Sequence, residues 1–130
     1  MSEFSDAFKN RTKLFAIAVI RLSKSFPKTE EALIIKKQLL RAAFSVAANY
    51  RAVCRGRSDA EFLSKLSIVV EEADEVVFWL ELITESAILT GDEINNNLKE
   101  ANEILSIVAK SRKTMKERLA NKSKSASLVL

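Results

Sequence analysis

Apolar residues recur at three- and four-residue spacing in four segments of the chain, which is the period of an α-helix that buries one face. The first predicted helix runs from Phe4 to Ser25, and it ends before Pro27 because the residue preceding a proline resists helical geometry. Its apolar stripe consists of Phe4, Phe8, Phe15, Val19, Leu22 and Phe26.

Capping signals locate the two middle helices. A second helix is predicted to start after Thr29, an N-cap residue followed by two glutamates, and to end at Gly56, where glycine would adopt the left-handed conformation that often closes a helix. The tetrapeptide Ser58-Asp59-Ala60-Glu61 fits a capping box and predicts the start of a third helix that runs to about Leu89.

The fourth helix is predicted from about Asp92, and its apolar stripe stops at Arg112 and Lys116. Residues 1–120 then form one domain, and residues 121–130, rich in lysine and serine, form a flexible tail. Four long amphipathic helices with short connections pack most simply as an antiparallel up-down-up-down four-helix bundle. The predicted fold class is therefore all-α.

Helix three carries more large apolar residues than one bundle core needs. A projection at 100° per residue places its core positions on one arc, and these are Phe62, Leu66, Val69, Val70, Ala73, Val76, Val77, Leu80, Ile83 and Ile88. Ile68, Phe78, Trp79, Leu82 and Leu89 lie roughly opposite. Scattered surface apolar residues are common, but the closeness of Phe78, Trp79 and Leu82 favours an oligomer interface that also includes Ile68.

Helix two combines an apolar face with a basic one. The apolar face consists of Leu39, Leu40, Ala42, Ala43, Val46, Ala47, Tyr50, Val53 and Cys54. The basic stripe consists of Lys37, Arg41, Arg51 and Arg55, which share an arc of about 80°, with Arg57 just beyond them. Two interpretations stay open: the stripe binds nucleic-acid phosphates, or it pairs with the acidic helix three of the same or a neighbouring subunit.

Composition excludes several kinds of chemistry. The chain has no histidine and a single cysteine, so it lacks His-based acid–base catalysis, zinc-finger ligands and an intrachain disulfide. Its two glycines stand apart and form no phosphate-binding loop. The acidic cluster at residues 71–75 fits a solvated face better than a metal site. We therefore expect no enzymatic activity, no cofactor and no metal.

Charge is distributed unevenly along the chain. Residues 1–58, 59–103 and 104–130 carry net charges of +8, −10 and +6. Such asymmetry fits either a basic surface for a polyanion or oppositely charged faces that meet between subunits. No stretch approaches the roughly 20 apolar residues of a membrane span, and the apolar run at residues 14–20 lacks a signal-peptide cleavage site. The prediction is a cytoplasmic protein.

Three stretches resemble a known family. They are Phe26-Pro27-Lys28, then the run from Gln38 to Asn49 (QLLRAAFSVAAN), then the run from Arg57 to Phe62 (RSDAEF). In order and spacing, residues 14–89 are similar to the small bacterial four-helix-bundle family named for open reading frames in intervening sequences of the large ribosomal RNA. The resemblance implies an antiparallel bundle, often a homopentameric ring. One relative in this family, which is associated with diversity-generating retroelements, is a basic barrel that binds nucleic acid and a reverse transcriptase.

The sequence departs from the family pattern at two places. After Asn49 the family commonly continues with an Ile-Ala-Glu-Gly-like sequence, whereas here the chain reads Tyr50-Arg51-Ala52-Val53, and Glu71-Glu72 replaces a usual Gly-Ser pair. No role attached to those positions is carried over. The sequence thus predicts a non-enzymatic homo-oligomer whose basic surface binds RNA or DNA or serves as an adaptor for a nucleic-acid enzyme. The alternative is a structural or protein-interaction module without nucleic-acid binding.

Overall fold

Four α-helices account for nearly all of residues 2–129, which are the residues that the computed structural model describes. Helix α1 spans Glu3–Ser23, α2 spans Glu30–Val53, α3 spans Asp59–Glu85 and α4 spans Asp92–Val129. No strand occurs within residues 2–129. The predicted all-α class is confirmed.

Contacts between neighbouring helices show that they run antiparallel. The ring of Phe8, early in α1, packs edge-on against that of Tyr50, late in α2, with centroids 4.8 Å apart. Asp59, at the start of α3, pairs with Lys122 in the second half of α4. In these two pairs the beginning of one helix meets the later part of its neighbour, as the short connections predict for an up-down-up-down bundle.

Side-chain caps begin the first three helices. The hydroxyl oxygens of Ser2, Thr29 and Ser58 accept hydrogen bonds from backbone N–H groups three residues later. Such bonds satisfy donors that have no partner inside the helix. The predicted N-caps at Thr29 and Ser58 are therefore confirmed.

The prediction for Gly56 is wrong. Helix α2 ends at Val53, its cap Cys54 has right-handed dihedrals, and Gly56 has no positive φ. Glycine permits a close approach there, because an added Cβ would lie 3.2 Å from the carbonyl oxygen of Val53 and 3.4 Å from Phe62 Cα, close enough that the backbone would have to shift. The tight connection between α2 and α3, rather than a left-handed cap, explains this glycine.

Helix α3 ends four residues before the predicted Leu89. Ala87 adopts a left-handed φ of 58°, and the N–H of Ile88 donates to the carbonyl of Ile83 at 3.1 Å. This six-to-one hydrogen bond is that of a Schellman motif, which closes the helix. Because alanine rather than glycine occupies the left-handed position, the sequence carries no glycine signal for the end of the helix at this point.

The core follows the predicted faces closely. On α3, Leu66, Val69, Val70, Ala73, Val76, Val77, Leu80 and Ile83 are all buried, while Phe62 and Ile88 are half-buried against them. Phe4 departs from the prediction: it is 56% exposed, because it lies in the first turn of α1 at the edge of the bundle.

Helix α4 extends further than its apolar stripe suggests. Met115, which lies past Arg112 where the sequence pattern stops, is still buried, although the main core cluster ends at Val108. The helix runs on through Val129, and residues 121–127 are exposed. The flexibility of residues 121–130 stays a prediction, and residue 130 lies outside the described part of the chain.

Candidate nucleic-acid interface

Antiparallel packing gathers the basic segments at one end of the bundle. We call residues 2–13, 50–66 and 104–127 the basic end; they carry 14 basic and 5 acidic side chains, a net charge of +9. Residues 14–49 and 67–103, toward the opposite end, carry 7 basic and 12 acidic side chains, a net charge of −5. Three charge blocks along the sequence thus become two ends of opposite charge, and the field of the molecule points along its axis.

Arg41 pairs with α3 of its own chain. Its Nη1 lies 3.2 Å from Glu72 Oε2, and its Nη2 contacts Glu75. Its Nε also donates to Gln38 Oε1 at 3.4 Å. Arg41 therefore agrees with the interpretation in which the basic stripe pairs with the acidic helix three.

The other three members of the basic stripe, and Arg57 just beyond it, divide into two places. Lys37 is exposed one turn before Arg41, roughly 20 Å along α2 from Arg51 at 1.5 Å per residue. Arg51, Arg55 and Arg57 are exposed at the basic end. The stripe is therefore interrupted by the Arg41 ion pairs, and Arg51, Arg55 and Arg57 form a separate exposed group at the basic end.

Two lysines of α1, which the analysis of α2 alone missed, lie beside Arg51. Lys9 and Lys13 face it across an open groove of about 320 Å³, which we call the α1–α2 groove. Its apolar lining consists of Ala16, Phe44, Ala47 and Ala48. The ion pairs found within residues 2–127 involve neither the two lysines nor Arg51. The spacing of the lysines by four residues places them on one face of α1, but only helix pairing brings that face to Arg51.

A larger groove lies at the same end of the molecule. It encloses about 570 Å³ between the starts of α1 and α3 and the second half of α4. Phe4, Phe62, Ile107 and Met115 contribute apolar surface, and Lys110 and Arg118 add positive charge. Asp59 also lines it, and the ammonium of Lys122 lowers the pKa of this carboxyl by donating a hydrogen bond to it.

The four residues of the predicted oligomer interface differ in exposure. Phe78 and Leu82 are 52% and 37% exposed, and Ile68 is half-buried. Trp79 departs from the projection: it is half-buried, packs against the core and meets the Phe78 ring edge-on with centroids 4.9 Å apart. Its Nε1 is buried and has no hydrogen-bond partner among the described residues. An interface formed by Ile68, Phe78, Trp79 and Leu82 stays a prediction.

Burial shifts the pKa of two groups near the end of α2. Burial raises the pKa of the Tyr50 hydroxyl and that of the Cys54 thiol. Within the described residues, no group of three or more cysteine, aspartate or glutamate side chains is placed to hold a metal ion. None of the helices described is both long and apolar enough to cross a membrane.

The fold and the charge distribution define a small four-helix-bundle protein with one basic end. Residues 7–110 match the sequence profile of the family described as 23S rRNA-intervening sequence protein, and the chain belongs to this family. The resemblance seen in the motifs is thus confirmed.

A solved structure shows the same fold. It is the crystal structure of a protein with unknown function from the S23 ribosomal protein family of Bacteroides thetaiotaomicron VPI-5482. The two chains are 28% identical and superpose with a TM-score of 0.75, and the match covers 84% of this chain and 97% of that one. No curated protein matches the chain.

Proposed function

We propose that the protein is a non-enzymatic homo-oligomer whose basic end binds RNA or DNA or serves as an adaptor for a nucleic-acid enzyme. The observation that carries this proposal is the convergence of basic side chains from all four helices and the connection after α2 at one end of the bundle, where basic residues outnumber acidic ones by 14 to 5. Lysine and arginine bind phosphates irrespective of base, so the expected ligand is the nucleic-acid backbone.

Arg55 and Arg57 provide the cleanest test, because both are exposed and lie outside the α1–α2 groove. The double variant Arg55→Gln/Arg57→Gln is expected to weaken binding to all oligonucleotide sequences alike. It should reduce the slope of log K against log salt by roughly two on duplex, because about 0.9 counterion is released per phosphate contact.

The matched control removes the same charge at the other end. Lys24 and Lys28 are exposed in the connection between α1 and α2, and the variant Lys24→Gln/Lys28→Gln changes the net charge equally. Binding measured by fluorescence anisotropy across a salt series should fall for the arginine pair and change little for the lysine pair. Equal effects of the two variants, or no binding by the unmodified protein at low salt, would rule out a dedicated nucleic-acid surface.

The second candidate is a structural or protein-interaction module, and the Arg41 ion pairs favour it locally. In that case Arg55 and Arg57 only complement the negative end of the α2 dipole or acidic groups of a neighbouring subunit. The double variant would then lower the melting temperature or the oligomer mass and leave oligonucleotide binding unchanged.

A further inference from the structure

We propose that the α1–α2 groove is a binding site for single-stranded nucleic acid, in which Phe44 stacks on a base while Lys9, Lys13 and Arg51 hold the adjoining phosphates. This inference rests on the proposed function and names the form of nucleic acid that the basic end selects. Proteins that bind single strands without reading sequence combine these two elements, a positively charged groove and an aromatic stacking surface.

The α2 side of the groove is one continuous helix face. Ala47 and Ala48 lie three and four residues after Phe44, and Arg51 lies four and three residues after them, so all four share one side of the helix. The distance from Phe44 to Arg51 along the axis is roughly 10 Å at 1.5 Å per residue, which matches about three nucleotides stacked at ~3.4 Å. A short run of strand therefore reaches from the aromatic ring to the guanidinium.

Phe44 is well suited to stacking. It is 43% exposed, and its neighbours along the floor are alanines, which are too small to cover the ring. Base–aromatic stacking tolerates every base, because each one offers a π-face. Phe44 is not part of the hydrophobic core, so the packing of the bundle does not explain its exposed ring.

The charges on the groove favour an anionic chain. Three cations and no carboxylate line it, and these cations remain outside the ion pairs formed within residues 2–127. In a duplex the base faces are already stacked on one another, so a duplex presents only phosphates to the groove. Single strands can use both the cations and Phe44, and the groove therefore binds them more tightly than duplexes of the same length.

The test measures the affinity of the full chain for a fluorescein-labelled twelve-nucleotide oligothymidylate and for a twelve-base-pair duplex. Phe44→Leu keeps the apolar floor and removes the π-face, and it is expected to weaken single-strand binding by at least about fivefold while duplex binding and the salt slope stay unchanged. Phe44→Tyr should keep the affinity of the unmodified protein. The matched control is Phe4→Leu, because Phe4 is an exposed aromatic residue of the basic end that lies outside this groove.

The outcomes separate this inference from the proposed function. If Arg55→Gln/Arg57→Gln weakens binding but Phe44→Leu does not, the basic end binds nucleic acid and the stacking site is overturned. Equal losses for single strand and duplex, or the same loss for Phe4→Leu, also overturn it. A smaller oligomer for Phe44→Leu in light scattering would identify Phe44 as a subunit contact and overturn it too. If thymidine monophosphate bound as tightly as the oligothymidylate, the groove would be a site for a mononucleotide rather than for a strand, and the inference would be overturned.

Discussion

Arg11 in α1 and Glu100 in α4 form a two-pronged ion pair that joins the first and last helices. Arg11 Nη2 lies 2.6 Å from Glu100 Oε1, and Nε donates to Oε2 at 2.8 Å. Glu103 adds a single contact to the same Nη2 at 3.0 Å. Two parallel hydrogen bonds fix the guanidinium and carboxylate planes relative to each other, so this pair links α1 and α4 with a defined geometry.

The first prediction concerns this pair and pH. The hydrogen bond from Arg11 holds the pKa of the Glu100 carboxyl below its ordinary value of 4.5, and Arg11 is protonated throughout the accessible range. A lowered folded-state pKa means that the stabilisation is present above pH 4.5 and is lost as pH falls through the folded value. Glu100→Gln should lower the free energy of unfolding by about 1 kcal/mol at neutral pH and by little in strong acid.

Glu103→Gln is the control for that prediction. Glu103 makes one contact and its side chain is 53% exposed, so its removal should cost less than that of Glu100. Chemical denaturation at pH 7 and pH 3 measures both variants. If Glu100→Gln lowered the free energy of unfolding equally at the two pH values, the stabilisation would not come from the ionised Glu100 carboxyl.

The second prediction concerns Ala87 at the end of α3. Its φ of 58° places a Cβ in the left-handed region, where L-residues other than glycine pay roughly 1–2 kcal/mol. Ala87→Gly should therefore raise the free energy of unfolding by about 1 kcal/mol. Ala7→Gly, at an exposed position inside α1, should lower it by roughly the same amount. The melting temperatures of the two variants should shift in opposite directions. A lower melting temperature for Ala87→Gly would show that the backbone of Ala87 is not strained.

The third prediction separates two members of the basic stripe. Arg41 is held by Glu72 and Glu75, whereas Arg51 lies in the α1–α2 groove. Arg41→Gln should lower stability by about 0–1 kcal/mol and leave oligonucleotide affinity nearly unchanged. Arg51→Gln should weaken oligonucleotide binding at unchanged melting temperature. If Arg41→Gln weakened binding as much as Arg51→Gln, the stripe would act as one surface despite its ion pairs.

The fourth prediction concerns self-association through α3. Phe78 and Leu82 are exposed, so Phe78→Ser/Leu82→Ser should reduce the mass measured by light scattering while the helical melt is nearly unchanged. Trp79→Ala is expected instead to destabilise the bundle, because its ring packs against the core. A monomeric unmodified protein at tens of micromolar would refute the oligomer.

Local signals in the sequence were sufficient for the helices and most of the core. Thr29 and Ser58 cap helices through bonds that span three residues, so their neighbours alone decide the outcome. Likewise, the buried positions of α3 follow from its apolar period. The same reasoning failed for Gly56 and Ala87, because a connection between helices is shaped by the packing of both helices it joins.

The candidate site depended on tertiary structure. The sequence contained the basic stripe of α2, but it left open whether its cations face phosphates or carboxylates. That choice depends on how far α2 is rotated and shifted relative to α3 and α1, and the packing of the whole core sets both. As a result Arg41 meets Glu72 and Glu75, while Arg51 meets Lys9 and Lys13 across a groove with Phe44 on its floor. Residues that are distant along the chain become one charged surface only when the helices pack side by side.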